Sequence, residues 1–156
     1  MPSQIQEIYT AISNTVVTVG GKSVTVKEPS TLPNAIHTAN LPLRLLTPIS
    51  RFTSTFANSN STWNSGQGSQ KNQIDWTITD LFLFDAINQQ IGIKALSSPL
   101  VEYCKNYLDM MANFELPSSC WISNINLRSD VLDYPFGTGN FYYGVIAIVS
   151  ITEKIN

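Results

Sequence analysis

The sequence predicts an α+β fold: a mostly antiparallel sheet with two helices packed on it, in the order α-β-β-β-β-α-β-β, and a long polar β-hairpin arm. Three observations carry that expectation. Two stretches, Ile5 to Ile12 and Leu100 to Phe114, repeat apolar residues at helical spacing. Several β-branched or aromatic runs alternate with a period of two. Between two of those runs lies Ala57 to Gln73, a segment of amides, hydroxyls and glycine around one aromatic residue, Trp63.

At the amino-terminal end, Ser3 is placed to cap a helix, with Gln6 as the other half of a capping box, and Ile5, Ile8, Tyr9 and Ile12 share one face. Thr15 to Val19 and Ser23 to Lys27 follow as a hairpin turned by Gly20-Gly21-Lys22, with Val17 and Val19 on one face and Val24 and Val26 on one face of the return strand. Pro29, Pro33 and Pro42 punctuate the next stretch and disfavour a long helix there. Leu43 to Leu46 opens a further strand that can run through Ile49 and Phe52 to Phe56, with Pro48 marking an edge or a bulge.

Beyond the polar segment, Ile74, Trp76 and Ile78 alternate with Asp75, Thr77 and Thr79 as in a half-buried strand. Asp80 then occupies the apolar parity ahead of Phe82 and Phe84. Either a bulge resets the register there or Asp80 is buried with a partner, and the bulge is preferred. For the second helix, Ser98 serves as cap and Pro99 as first residue, with a stripe of Leu100, Cys104, Tyr107, Leu108, Met111 and Phe114. Glu102, Lys105, Asn106 and Asp109 fill its other face, and Pro117 ends it. Trp121, Ile125 and Leu127 alternate with Ile122, Asn124, Asn126 and Arg128 in a strand reaching Tyr134. After a turn over Pro135 to Asn140, Phe141 to Thr152 is apolar on both faces, as a central strand would be.

Residues 1–156 form one domain, a length at which roughly 70% of the unfolded chain's surface can be buried. Hydrophobic residues make up 43% of the chain and charged residues only 13%; 17 Ser, 14 Thr, 14 Asn and 7 Gln supply the remaining polarity. A weakly charged surface repels its own copies little, which suits an assembly subunit; a Thr- and Asn-rich monomer, secreted or not, is the other reading. The net charge of -2, with its cations scattered, offers no stripe for duplex nucleic acid. Cys104 and Cys120 read as buried free thiols rather than a disulfide. Without an apolar leader or an 18-residue apolar run, the chain is expected to be made in the cytosol and to have no membrane partner.

Chemistry-bearing motifs are weak. Gly20-Gly21-Lys22-Ser23 has Val16 where a phosphate-binding loop needs glycine and is followed by a strand, while Gly66-Gln67-Gly68 and Gly137-Thr138-Gly139 lack a strand-to-helix setting. His37 is the only histidine and has no nucleophile elbow near it. Asp75, Asp80, Asp85, Asp130 and Asp133 could pair for acid-base work, but carboxylates at turns and on strand faces are commonplace. No catalytic, cofactor or metal residues are therefore nominated. Trp63 is either an anchor for a neighbour's pocket or folded back on its own sheet, and the anchor is preferred because its flanks give it nothing to pack with. Arg51, Trp63 and Lys71 are the interface candidates, chosen for their place beside or within the arm.

A family resemblance rests on several of these stretches together. They are the opening helix Ile5 to Ile12, the strand pair ending near Lys27, and Leu32-Pro33-Asn34-Ala35-Ile36-His37-Thr38-Ala39-Asn40-Leu41-Pro42-Leu43-Arg44-Leu45-Leu46. After the polar insertion come Trp76-Thr77-Ile78-Thr79-Asp80-Leu81 and a closing Phe141-Tyr142-Tyr143-Gly144-Val145 leading to Glu153. Over most of its length the chain resembles the tail-terminator or tail-completion proteins of long-tailed bacteriophages. The resemblance implies a non-enzymatic structural virion protein, a homohexameric ring that caps the head-proximal end of the tail tube, halts its growth and offers a surface to the neck. Its partners would be copies of itself, the tail tube protein, the neck or connector protein and, where the tail has one, the sheath. Its place would be the tail-neck junction of the virion. A head-closure or head-tail adaptor ring is the nearest alternative; a small hydrolase using Asp and His37, or a monomeric ligand-binding module, are alternatives of other classes.

Overall fold

Residues 4–27, 41–47, 51–54, 72–87, 93–134, 137 and 139–155 are described by the computed structural model. They form helix α1 (Ile5–Ser13), strands β1 (Val16–Val19), β2 (Lys22–Lys27), β3 (Leu43–Leu46), β4 (Arg51–Ser54) and β5 (Asn72–Ala86), helix α2 (Ile93–Ala112), and strands β6 (Cys120–Asp133) and β7 (Phe141–Ile155). The sheet order is β1-β2-β3-β5-β7-β6, and β4 also pairs with β5. Every pairing is antiparallel except that of β2 with β3. The chain is thus α+β, as its periodicities indicate, with β7 in the middle of its two longest neighbours.

The third strand is split rather than continuous. Leu46 stands opposite Asp80 and Arg51 opposite Thr77, so four residues on one side are matched by two on the other. Pro48, which has no N–H to donate to a ladder, lies among those four. β3 and β4 therefore lie end to end along one edge of β5, held at the junction by Thr47, whose N–H and hydroxyl both donate to the Thr79 carbonyl at 3.0 Å.

The glycine turn behaves as expected: Gly20 and Gly21 take φ of 57° and 76°, and Val19 pairs with Lys22 across a two-residue loop. Val17, Val19 and Val24 are buried against the helices. That face of the sheet carries the main core, where Ile8 and Ile12 of α1 and Tyr103, Tyr107 and Met111 of α2 meet Ile78, Phe82, Val145, Ala147, Val149 and Ile151. A smaller cluster of Leu43, Leu45, Leu83, Leu132 and Tyr142 lies on the opposite face.

Several local expectations are corrected. α1 is capped at Gln4 with no side-chain cap of its own, and Ser3 lies outside the described residues. The Gln4 N–H donates instead to the Glu153 carboxylate at 2.7 Å, an anion from the end of β7 set at the helix's positive end. α2 begins at Ile93, so Pro99 is an interior residue rather than the first, and Ser98 is helical rather than the cap. Its buried line runs through Tyr103, Tyr107 and Met111, while Leu108 is 45% exposed.

Asp80 does not sit at a bulge. The β5–β7 register runs unbroken through Asp80 opposite Ala147 and shifts only between Leu83 and Asp85. A second shift lies between Ile122 and Asn124, which puts Ile122 on the helix side with Ile125 and Leu127 and turns Trp121 to the other face.

Candidate functional site

Asp80 keeps its register because it has a partner from β3. Arg44, opposite Phe82 and so diagonal to Asp80 on the same face, donates from Nη2 at 2.6 Å and from Nε at 3.1 Å to the two carboxylate oxygens. Both side chains are fully buried. The remaining guanidinium donors reach Thr15: Nη1 to its carbonyl at 3.0 Å and Nη2 to its hydroxyl at 3.1 Å. Thr15 follows α1 and donates its own hydroxyl to the Ile12 carbonyl, so the cation lies at the helix's negative end.

Aromatic rings of α2 cover the pair. The Tyr107 ring lies 5.6 Å from the Arg44 guanidinium carbon, and Tyr103 stacks on Phe82 with centroids 3.9 Å apart. Burial pushes the Asp80 carboxyl up, and the hydrogen bonds and charge of Arg44 pull against it. Burial also opposes the charge on Arg44, but Asp80 more than offsets this and raises its pKa. A guanidinium does not give up its proton in a protein, so Arg44 holds Asp80 as its counter-charge. Burial drives both tyrosine hydroxyls well above their ordinary value of 10.0. Neither hydroxyl has a hydrogen bond of good geometry among the described residues, although Tyr107 stands close enough to Asp80 for the two to influence each other. The cluster joins α1, β1, β3, β5 and α2, with Arg44, Asp80, Tyr103 and Tyr107 fully buried among the described residues, and it fixes those elements together.

The other carboxylates do not converge. Asp75 accepts from the Thr152 hydroxyl at 2.6 Å, Asp85 from the Ala86 N–H, and Asp130 from the Val131 N–H. Asp133 accepts from the N–H groups of Gly137 and Gly139 at 2.9 and 3.0 Å, so the chain's own carboxylate fills the concavity that a glycine turn could offer an anion. Among the described residues no group of three or more His, Cys, Asp or Glu could hold a metal ion. His37 lies outside the described residues. Cys104 and Cys120 are both free thiols, the first half-buried and the second buried, and burial raises the pKa of each.

Features open to a partner lie on the helix side of the sheet, towards β6. A groove of about 500 Å³ between α2 and the β6–β7 pair is lined by Ser97, Leu100, Val101, Cys104, Leu127, Ser129 and Tyr143. Beside it runs the outer edge of β6, which among the described residues pairs only with β7. The opposite edge is guarded: Asn106 of α2 donates to the Thr18 carbonyl of β1 at 2.7 Å, and Glu102 accepts from the Gly20 N–H at 3.2 Å. Large apolar side chains are exposed near the β6 edge, Val101 at 66% and Val131 at 45%. Strand alternation placed β6 in the sequence; its position at an edge depends on which strands pair, which alternation does not encode.

Of the interface candidates, Arg51 opens β4 opposite Thr77, and its side chain lies outside what is described; Trp63 and Lys71 lie outside the described residues. Arg51 is therefore on the β4–β5 side of the sheet, away from the groove. Among the described residues no helix is long and apolar enough to cross a membrane. No protein-family model matches the chain, and no curated protein matches it.

Proposed function

We propose that this chain is a non-enzymatic assembly subunit of a long-tailed bacteriophage, a tail terminator that forms a ring, six copies in number, on the head-proximal end of the tail tube. The observation that best supports the reading is the setting of the polar segment 57–73. β4 and β5 pair antiparallel, with Ser54 opposite Ile74, so two strands running side by side bracket the segment. With Trp63 and Phe56 as its only large apolar residues nearby, the segment can bury little surface, while ordering a backbone costs roughly 1–2 kcal/mol per residue. Contact with a neighbouring copy or with the tube would supply the missing burial. A hairpin leg of about 8 residues reaches roughly 26 Å, enough to cross a subunit boundary. Repeated heterologous contacts of this kind close into a ring when the rotation permits.

Replacing residues 57–71, which stop short of β5, by a short Gly-Ser turn tests the reading. The shortened chain is expected to fold with an unchanged melting temperature but not to bind tail tubes, and tubes assembled in its presence should overgrow. Tubes of normal length capped by the shortened chain would refute the proposal.

A further inference from the structure

The outer edge of β6, open among the described residues, is self-complementary, and we infer that two copies of this chain pair through it, β6 against β6, about a two-fold axis at Ser129. Tyr134 donates its N–H to the Asn140 carbonyl, and Asp133 is opposite Phe141. By the alternation of an antiparallel ladder, the even-numbered residues from Leu132 back to Asn124 turn their main-chain groups to β7. The odd-numbered ones, Ile125 to Asp133, turn theirs to the open edge. Two copies can therefore share a ladder only with odd residues opposite odd residues.

Centring that ladder on Ser129 sets Arg128 of each copy opposite Asp130 of the other, twice over. Centring it instead on Leu127, Arg128, Asp130 or Val131 would put Arg128 opposite Asn126, its own counterpart, Leu132 or Tyr134, so none of these neighbouring registers matches the charges. Arg128 and Asp130 are exposed, 63% and 47% at the side chain, and lie 3.6 Å apart within one chain; pairing completes an alternating square of four charges. They fall at non-hydrogen-bonded positions of the new ladder, where side chains approach most closely.

The same register places Val131 of one copy opposite Leu127 of the other, on the helix side, at the rim of the apolar groove that Leu127 and Val101 line. The exposed Val131 of each copy is then covered at the edge of that groove. Asp130 now accepts the Val131 N–H at 2.8 Å, which occupies one outward donor; on pairing it exchanges that bond for Arg128 of the second copy. The inference does not depend on the ring reading: ring contacts are heterologous and repeat, whereas this contact is isologous and stops at two.

Sedimentation of the full chain over a concentration series tests it. The expected species is a pair of about 35 kDa, from two copies of 17.3 kDa. Arg128→Asp, which sets four carboxylates together, should raise the dissociation constant at least about 10-fold, and Arg128→Asp with Asp130→Arg should restore pairing. Both positions are exposed, so circular dichroism should show each variant folded. Under mild oxidation Ser129→Cys should link to itself across the axis, identified by mass mapping of the cross-linked peptide to separate it from Cys104 and Cys120. A wild type that stays single at every concentration would overturn the inference. So would a pair that Arg128→Asp leaves intact, or one that the double exchange fails to restore.

Discussion

Asp80→Ala is expected to lower the free energy of unfolding by about 3–5 kcal/mol, read as a fall in urea midpoint with an unchanged slope. The loss comes from the charge left behind. Arg44 would keep its protonated guanidinium, fully buried, with the neutral Thr15 carbonyl and hydroxyl and the Tyr107 ring left to answer it. Replacing both partners, Arg44→Met with Asp80→Leu, should recover most of the loss, because two apolar side chains carry no desolvation penalty into the same space. If Asp80→Ala costs less than about 1 kcal/mol, the pair is not buried as described and the junction of α1, β3 and β5 is held by something else.

Gly144→Ala should be nearly as severe, a loss of about 3 kcal/mol or more and a melting temperature lower by roughly 6–12 °C. A methyl group at Gly144 would meet the Phe82 carbonyl oxygen at 1.9 Å and its carbon at 3.1 Å. Those are backbone atoms of the adjacent strand, next to the register shift between Leu83 and Asp85, so no side-chain rotation relieves the clash. Either β5 and β7 part or the bulge is lost, and both disturb the main core. Gly21→Ala is the comparison: its φ of 76° makes alanine strained by about 1–2 kcal/mol, but an added methyl meets nothing within 4 Å. A Gly144→Ala protein that melts no lower than Gly21→Ala would contradict the close approach.

The parts of the fold legible in sequence were those fixed by local period. Val17, Val19 and Val24 fall on the buried face because alternation puts them there, and β7 reads as central because both its faces are apolar. The start of α2 was obscured by Ser98-Pro99, a pair that looks like a cap and first residue but lies one and a half turns inside a helix whose packing tolerates it. Leu108 drew the helical stripe off line, and Tyr103, one residue from Cys104, was missed as its centre.

Bulges were hidden for another reason: the shifts at Phe84 and Ser123 depend on which strand lies opposite, so the residues alone do not announce them. Asp80 did give a signal, a carboxylate on apolar parity. Its answer, Arg44, was also visible as a lone cation in Leu43 to Leu46, and joining the two required knowing that β3 lies beside β5. Glu153, buried in the last strand, is the same kind of signal, explained by the Gln4 N–H and the Trp76 indole that it accepts at 2.7 and 3.0 Å. The open β6 edge and its groove had no counterpart in the sequence, because an edge is a property of pairing.

The assembly reading meets its most direct test in images of intact particles in which this protein is labelled. It predicts a six-fold density at the head-proximal end of the tail tube, with a mass near 104 kDa from six copies of 17.3 kDa. Label absent from the particle, or found as scattered single copies away from the tail-neck junction, would contradict it.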